Sequence, residues 1–110
     1  MRVFKKWDIW WAWFEYEDRE GGKRRPVLVV SPSEVYILSA EITKHESRNM
    51  WGEHEIIKWK SANLPIPSTV RLTKLQRITP DDFDKKIGTL HPVDIEMIKE
   101  KLKDLLNEED

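Results

Sequence analysis

The sequence predicts a mainly β fold with one C-terminal α-helix, arranged as a small, strongly bent β-barrel against which the helix packs. Short runs of aromatic and β-branched residues, separated by turn residues, fill the first two-thirds of the chain. The last segment instead has apolar residues spaced by three and four. The whole chain of 110 residues is long enough for one modest core, so we expect a single domain over residues 1–110.

The first predicted strand covers residues 8–14 and is rich in tryptophan. Aromatic residues at this density favour a strand over a helix. Its apolar side chains alternate onto two faces: Ile9, Trp11 and Trp13 against Trp10 and Phe14. We therefore expect both faces to be covered, one by the barrel interior and the other by a helix or a second subunit. The charged residues that follow end in Gly21-Gly22, which predicts a hairpin loop over residues 15–22.

Four more strands are predicted from apolar runs bounded by turn or polar residues: 26–30, 36–43, 54–59 and 68–75. A polar connection over residues 44–53 joins the third strand to the fourth. Thr79 before Pro80, with two acids following, predicts a short helix capped by the threonine hydroxyl. The pattern becomes extended again over residues 85–88.

The last element begins near Pro92 and has the pattern of an amphipathic helix. Its apolar residues share one face: Ile95, Ile98, Leu102, Leu105 and Leu106. Burial of each such side chain is worth roughly 1.5–3 kcal/mol before entropy is subtracted, so this face is expected to dock on the barrel. His91 is expected to cap the helix, although histidine is not a favoured capping residue.

Composition narrows the possible classes of function. The chain has no cysteine, which excludes disulfides, thiol nucleophiles and Cys-ligated zinc. Asp8 interrupts the N-terminal apolar run and no stretch is long enough to span a bilayer, so we expect a cytoplasmic protein without a membrane partner. Residues 94–110 hold seven acids and three lysines, a net charge of −4, and the remaining sixteen bases and thirteen acids give +3. This distribution permits an RNA partner without demanding one.

A short basic run, Lys23-Arg24-Arg25, follows the glycine pair and precedes Pro26. The glycines let the backbone approach a ligand closely, and a guanidinium group presents a fork that matches phosphate oxygens. Taken alone, such a run is more often a solvated basic turn. Its surroundings favour a functional interpretation.

Several segments occur in the order seen in the MazF/PemK-like toxins of type II toxin–antitoxin systems: DIWW at 8–11, RRPVLVVS at 24–31, EIT at 41–43, STVRL at 68–72 and KKIGTL at 85–90. A terminal amphipathic helix follows, as it does in that family, and the chain resembles the family from about Val3 to Leu106. The resemblance implies an SH3-like barrel, a homodimer, and an endoribonuclease that cleaves single-stranded RNA without a metal or other cofactor. It also implies 2′,3′-cyclic phosphate and 5′-hydroxyl ends, and a cognate antitoxin whose acidic, disordered segment replaces the RNA.

The resemblance also implies site residues. The family's key arginine precedes the proline of the second strand, which is Arg25 here, and its key threonine closes the third strand, which is Thr43. Arg25 suits the stabilisation of a doubly anionic phosphorane, whereas a pKa above ~12 makes arginine a poor general base. Thr43 offers one hydroxyl donor. The further residues that we expect to bind RNA are Lys23, Arg24, Lys44, Trp51, Ser68 and Lys74.

His45 lies two residues beyond Thr43, so on a continuing strand it would share that face and supply a titrating acid or base. A solvent-exposed loop histidine is the alternative. His54 is expected to be a cross-strand partner, and no histidine belongs to a recognised metal-binding spacing, so no metal site is expected. Trp51, beside Gly52 in a polar segment, is the candidate for stacking on a base.

Three departures from the family limit what the resemblance implies. Trp7 stands where a glycine usually precedes the first-strand aspartate, the loop after the first strand is short, and Lys74 stands where glutamine is common. The cleavage motif is therefore not carried over. Two other functions remain open: a gyrase-poisoning toxin of the CcdB kind, and a non-catalytic module on the same barrel that binds nucleic acid or protein.

Overall fold

The structure is a computed structural model that describes residues 2–44 and 51–107. These residues form strands β1 to β6, a single 3-10 turn over Pro80–Asp82 and a C-terminal helix, α1. The bounds are Asp8–Glu15 for β1, Gly22–Pro32 for β2, Ile37–Thr43 for β3, Glu53–Glu55 for β4, Thr69–Ile78 for β5, Phe83–Thr89 for β6 and Pro92–Asn107 for α1. The predicted class, mainly β with a C-terminal helix, is confirmed.

All strands belong to one antiparallel sheet in the order β4-β5-β3-β2-β1-β6. The sheet is open, because the edge strands β4 and β6 do not pair with each other. It is nevertheless strongly bent. The side chain of Gln76 on β5 donates to the carbonyl oxygen of Glu15 at 2.8 Å and accepts from its N–H at 3.0 Å, although β3 and β2 separate β5 from β1. One amide side chain thus links the two strands across the bent sheet.

Two apolar clusters cover opposite faces of the sheet, as the pattern of the first strand predicts. Ile9 belongs to the cluster that α1 covers with Ile98 and the partly buried Ile95, Leu102 and Leu105. On the other face, Trp10, Ala12 and Phe14 of β1 pack with residues of β2, β3 and β6. Both faces of β1 are therefore covered mainly within the chain, except at Trp13, which is 41% exposed.

The fourth strand is shorter than predicted, ending at Glu55 rather than residue 59. The backbone explains why. The N–H groups of Ile57 and Lys58 donate to the carboxylate of Asp94, at 2.8 and 2.9 Å, instead of to a neighbouring strand. The predicted cap of the short helix is also wrong, because the Thr79 hydroxyl makes no capping bond to the backbone.

The start of α1 is fixed by two side chains. The Nδ1 atom of His91 accepts from the N–H of Val93 at 3.1 Å, which confirms the predicted cap. Asp94, fully buried in the first turn, accepts from His54 Nε2 at 2.8 Å in addition to the two backbone groups above. In the sheet, His54 lies opposite Val70 on β5, as predicted for a cross-strand residue. Its side chain, however, binds Asp94 of α1. No helix in the described part of the chain is long and apolar enough to cross a membrane.

The residue before β1 has an unusual backbone conformation. Trp7 has a φ of +76°, in the left-handed region that glycine adopts without strain. Its N–H donates to the Val29 carbonyl oxygen and its own carbonyl accepts from Leu90, both at 2.9 Å. These two bonds tie β2 and the end of β6 to the start of β1. The position therefore suits a glycine better than a residue with a side chain.

Candidate active site

The strand register brings four chemically relevant residues onto one face of the sheet. Glu41 on β3 lies opposite both Val27 on β2 and Arg71 on β5. Arg25 lies two residues before Val27 on β2, and Thr43 lies two residues after Glu41 on β3, so in this antiparallel pair both lie toward the same end. Because side chains alternate with a period of two, Arg25, Glu41, Thr43 and Arg71 share a face.

Alternating charges cross this face. Arg25 Nη1 donates to Glu41 Oε1 at 2.5 Å, and Arg71 Nη1 lies 3.7 Å from the same oxygen. Arg71 Nε lies 3.4 Å from Glu53 Oε2 on β4. The carboxylates are nearly buried, with side chains 11% and 5% exposed, whereas each arginine side chain is 22% exposed. Nearly buried carboxylates require compensating charge, and the partly exposed arginines supply it while keeping access to solvent.

Three of the four residues, Arg25, Glu41 and Arg71, line a cavity of about 260 Å³. Arg25, Glu41, Arg71 and Lys74 line its sheet side, and residues 14–18 line the other side. Lys74 makes an ion pair with Glu17 of the β1–β2 loop across the cavity. The site therefore combines three cations with the acidic side chains of Glu41 and of residues 15–18.

A family model described as the PemK-like, MazF-like toxin of type II toxin–antitoxin systems matches residues 5–106. The chain belongs to this family. Two solved structures are similar in fold. An endoribonuclease in complex with its cognate antitoxin, from a mycobacterial species, has 13% identity and a TM-score of 0.74, with 96% of each chain covered. The Mycobacterium tuberculosis toxin MazF-mt6 has 22% identity and a TM-score of 0.69, covering 91% of this chain and 96% of that one. No curated protein matches the chain.

In this MazF-like toxin the basic run after the glycine pair does not form one surface. Lys23 is exposed and shares the face of Arg25. Arg24 lies on the other face, where its Nη1 atom pairs with Asp84 of β6 at 2.9 Å. Strand alternation therefore separates Arg24 from the cavity, and Lys23 is the member of the run that extends the site.

The other residues expected to bind RNA differ in their exposure to solvent and in their position relative to the cavity. Lys74 lines the cavity, and Lys44 is exposed next to Thr43. Trp51, 60% exposed, lies just before β4. Ser68 is buried, its hydroxyl donates to the Ile66 carbonyl oxygen at 2.9 Å, and it is not among the residues that line the cavity.

His45, the candidate acid or base, lies outside the described residues. No group of three or more possible metal-ligating residues occurs within the described part of the chain.

Sequence reasoning missed Glu41, Arg71 and Glu53. A usable signal was present, because Glu41 is an ionisable residue inside an otherwise buried strand and such residues are rarely buried unless paired. Arg71 interrupts an apolar run of β5 in the same way. What the sequence lacks is the register that joins residues 30 positions apart.

Proposed function

We propose that this toxin is an endoribonuclease that cuts single-stranded RNA without a divalent metal. The 2′-hydroxyl loses its proton and its oxygen bonds to the adjacent phosphorus, while the bond from phosphorus to the 5′-oxygen breaks and that oxygen takes up a proton. The products carry a 2′,3′-cyclic phosphate and a 5′-hydroxyl. The observation that carries the proposal is that Arg25 and Thr43 share one face of the sheet, where Arg25 lines a cavity together with Arg71 and Lys74. One structural neighbour is itself described as an endoribonuclease.

Arg25 has the chemistry to stabilise the charge that develops on the phosphorane. Its bond to Glu41 engages Nη1 and restrains the guanidinium group. Because Nε is buried, the terminal donors that this bond does not use are the ones available to phosphate oxygens. Donors held in place before the reaction stabilise the transition state without a reorganisation cost. Thr43 contributes a hydroxyl donor from the neighbouring strand. These roles make Arg25 the larger contributor and Thr43 the smaller one.

Proton transfer requires a titrating group, which Arg25 cannot supply because arginine stays charged. His45 remains the proposed acid or base, on the ground that it follows Thr43 by two residues. A His45→Gln variant is expected to lose the limb of the pH–rate profile that a histidine gives near neutral pH. A profile with the same shape in wild type and variant would exclude His45 from proton transfer.

The test of the proposed reaction is incubation of the purified protein with a long single-stranded RNA in EDTA. Cleavage is expected, with cyclic phosphate and 5′-hydroxyl ends identified by mass spectrometry of short products. The Arg25→Ala protein, prepared in parallel, controls for a contaminating nuclease. Cleavage that appears only after addition of Mg²⁺ or Mn²⁺ would contradict the mechanism. Absence of cleavage under every condition would favour a non-catalytic binding protein.

The proposed partners follow from charge and exposure. A cognate antitoxin with an acidic, disordered segment would complement the basic side chains of Lys23, Arg25 and Lys74. One solved neighbour is described as bound to its own antitoxin. We also propose a homodimer, since Val93 and Met97 of α1 are about two-fifths exposed on the side away from the core. Sedimentation at micromolar concentration should give a dimer, and an active monomer would contradict this.

A further inference from the structure

Helix α1 binds the edge strand β4 at two points. Asp94, in the first turn of the helix, accepts from His54 and from the backbone that follows β4. Farther along the helix, the Nζ atom of Lys101 donates to the carbonyl oxygen of Glu53 at 2.7 Å. Because a turn has 3.6 residues, Asp94 and Lys101 are about two turns apart and lie on the same side of α1. The helix therefore holds both ends of this short strand.

The Lys101 bond adds to a helix that is already docked by apolar side chains. Ile98 of α1 is fully buried, and the partly buried Ile95, Leu102 and Leu105 pack against the same cluster. Burial of apolar surface is the main driving force for such docking. Lys101, which is half-buried, binds a backbone oxygen of the neighbouring strand and loses side-chain freedom in doing so. The specific result of its bond is to fix the position of residue 53.

The position of residue 53 matters because of its side chain. The Glu53 carboxylate is 5% exposed and lies 3.4 Å from Arg71 Nε. The two residues are directly opposite each other in the β4–β5 pair. Arg71 Nη1 in turn lies 3.7 Å from the Glu41 oxygen to which Arg25 donates. A continuous set of contacts therefore connects α1, through β4, with the cavity wall.

Strand β4 needs this support more than the inner strands do. It has three residues and pairs only with β5, whereas each inner strand pairs on both sides. Elements with few contacts and few hydrogen bonds open locally at a low cost in free energy. A bond from another element to the first residue of β4 restrains that opening where the Glu53 carboxylate meets Arg71.

We propose that Lys101 is a positioning residue for the cavity. Its bond to the Glu53 backbone holds the Glu53 carboxylate against Arg71, and this contact limits the movement of Glu41 and of the Arg25 guanidinium group. The inference rests on the proposed function, which assigns stabilisation of the phosphorane to Arg25. Lys101 is not among the residues that line the cavity, so it acts through these contacts and not on the RNA.

The test compares steady-state cleavage of RNA by Lys101→Met and by the wild type. Methionine keeps an unbranched apolar side chain and removes the ammonium group. We expect kcat to fall about tenfold, because a small displacement of a group that stabilises the transition state lowers the rate strongly. KM should change by less than about twofold, since the cavity keeps all of its charges and these attract the RNA. Lys101→Arg keeps a cationic donor and should restore most of kcat.

Three further variants separate this effect from overall charge and from stability. Lys103→Met removes the same charge from an exposed position of α1 and should leave kcat unchanged. Ile95→Val removes one methyl group from the packing of the helix and keeps the Lys101–Glu53 bond, so it should lower stability but not kcat. Lys101→Gln, a second uncharged replacement, should reproduce the loss. Circular dichroism gives the folded fraction, and each rate is expressed per folded protein.

A double-mutant cycle tests whether Lys101 acts through the Glu53 side chain. Glu53→Gln removes the charge by which residue 53 attracts Arg71. In the Glu53→Gln protein, Lys101→Met should therefore lower kcat by less than about twofold, because contacts that act in series are not additive. An equal fall in both backgrounds would show that Lys101 does not act through the carboxylate, and it would overturn the inference.

The outcomes for the inference and for the proposed function are distinct. A wild-type protein that cuts no RNA contradicts the proposed function, and the inference with it. If the wild type cuts, and folded Lys101→Met and Lys101→Gln proteins keep its kcat, the lysine only docks the helix and the inference alone is wrong. A similar loss in Lys103→Met would also overturn the inference, because the effect would then be one of overall charge.

Discussion

Replacement of Asp94 by alanine should destabilise this protein more than any surface substitution on the same helix. Asp94 is fully buried and accepts from His54 Nε2 and from the N–H groups of Ile57 and Lys58. It therefore connects the first turn of α1 to the end of β4 and to the segment that follows. Alanine removes all three bonds at once and leaves a nearly buried histidine without its partner.

The magnitude follows from these contacts. The two backbone donors are partly buried, so water replaces part of what they lose. His54 is only 2% exposed, and a buried donor that loses its partner typically costs about 1–3 kcal/mol. Loss of the two backbone hydrogen bonds adds about 1 kcal/mol for each. We expect a loss of about 3–5 kcal/mol in the free energy of unfolding, a large share of the roughly 5–15 kcal/mol that domains possess. Asp94→Asn keeps one acceptor oxygen and turns an amide toward one backbone donor, so its loss should be smaller.

Urea unfolding followed by tryptophan fluorescence measures these differences. Asp104→Ala is the matched control, because Asp104 is an exposed acid on the same helix. Its free energy of unfolding should change by no more than about 0.5 kcal/mol. A loss below about 1 kcal/mol for Asp94→Ala, with the urea dependence unchanged, would show that the buried network contributes little and that the reasoning is wrong.

Three further predictions concern the site and its scaffold. Arg25→Ala should lower kcat by 10²-fold or more, by analogy with the roughly 3–4 kcal/mol that loss of an oxyanion donor costs. Thr43→Ala should lower kcat less. A folded Arg25→Ala protein with a wild-type rate would refute the role assigned to Arg25. Urea unfolding should show Trp7→Gly to be more stable than Trp7→Ala by about 1 kcal/mol. Both variants lose the indole ring, but only glycine adopts the positive φ of this position without strain. The opposite order of stability would contradict the claim that Trp7 is strained. Lys23→Ala should lower the affinity for RNA and for the antitoxin together, measured across a salt series. Arg24→Ala should lower both affinities less, because the Arg24 side chain is on the other face of the sheet. Equal losses in the two variants would contradict that separation.

The parts of the fold that depend on local pattern could be predicted from the sequence. The Trp-rich strand with two covered faces, the apolar face of α1 and the His91 cap all depend on residues close together in the chain. The length of the fourth strand could not be predicted in this way. It ends early because Asp94, nearly 40 residues later, binds the backbone groups that a longer strand would use.

The same distinction between local pattern and long-range pairing applies to the residues of the candidate site. Arg25 and Thr43 could be named because the resemblance assigns roles to residues at a strand start and a strand end. Glu41 and Arg71 could not be named, because only the register between β3 and β5 brings them together. A bulge between Ala40 and Glu41 shifts that register by three residues, so even a correct list of strands would have paired these residues wrongly.

The position of the site also has an electrostatic consequence. Phe14 belongs to the apolar cluster of its face and lines the cavity as well, so the charged residues begin where the cluster ends. Charges beside a packed apolar surface are less screened than charges surrounded by water, and their interactions are correspondingly stronger. Arg25 is held by Glu41 at that boundary, so in the proposed reaction it would offer a phosphate a poorly screened cation. The same boundary explains the need for Glu41, since an arginine beside an apolar cluster without a carboxylate would be a partly buried charge without compensation.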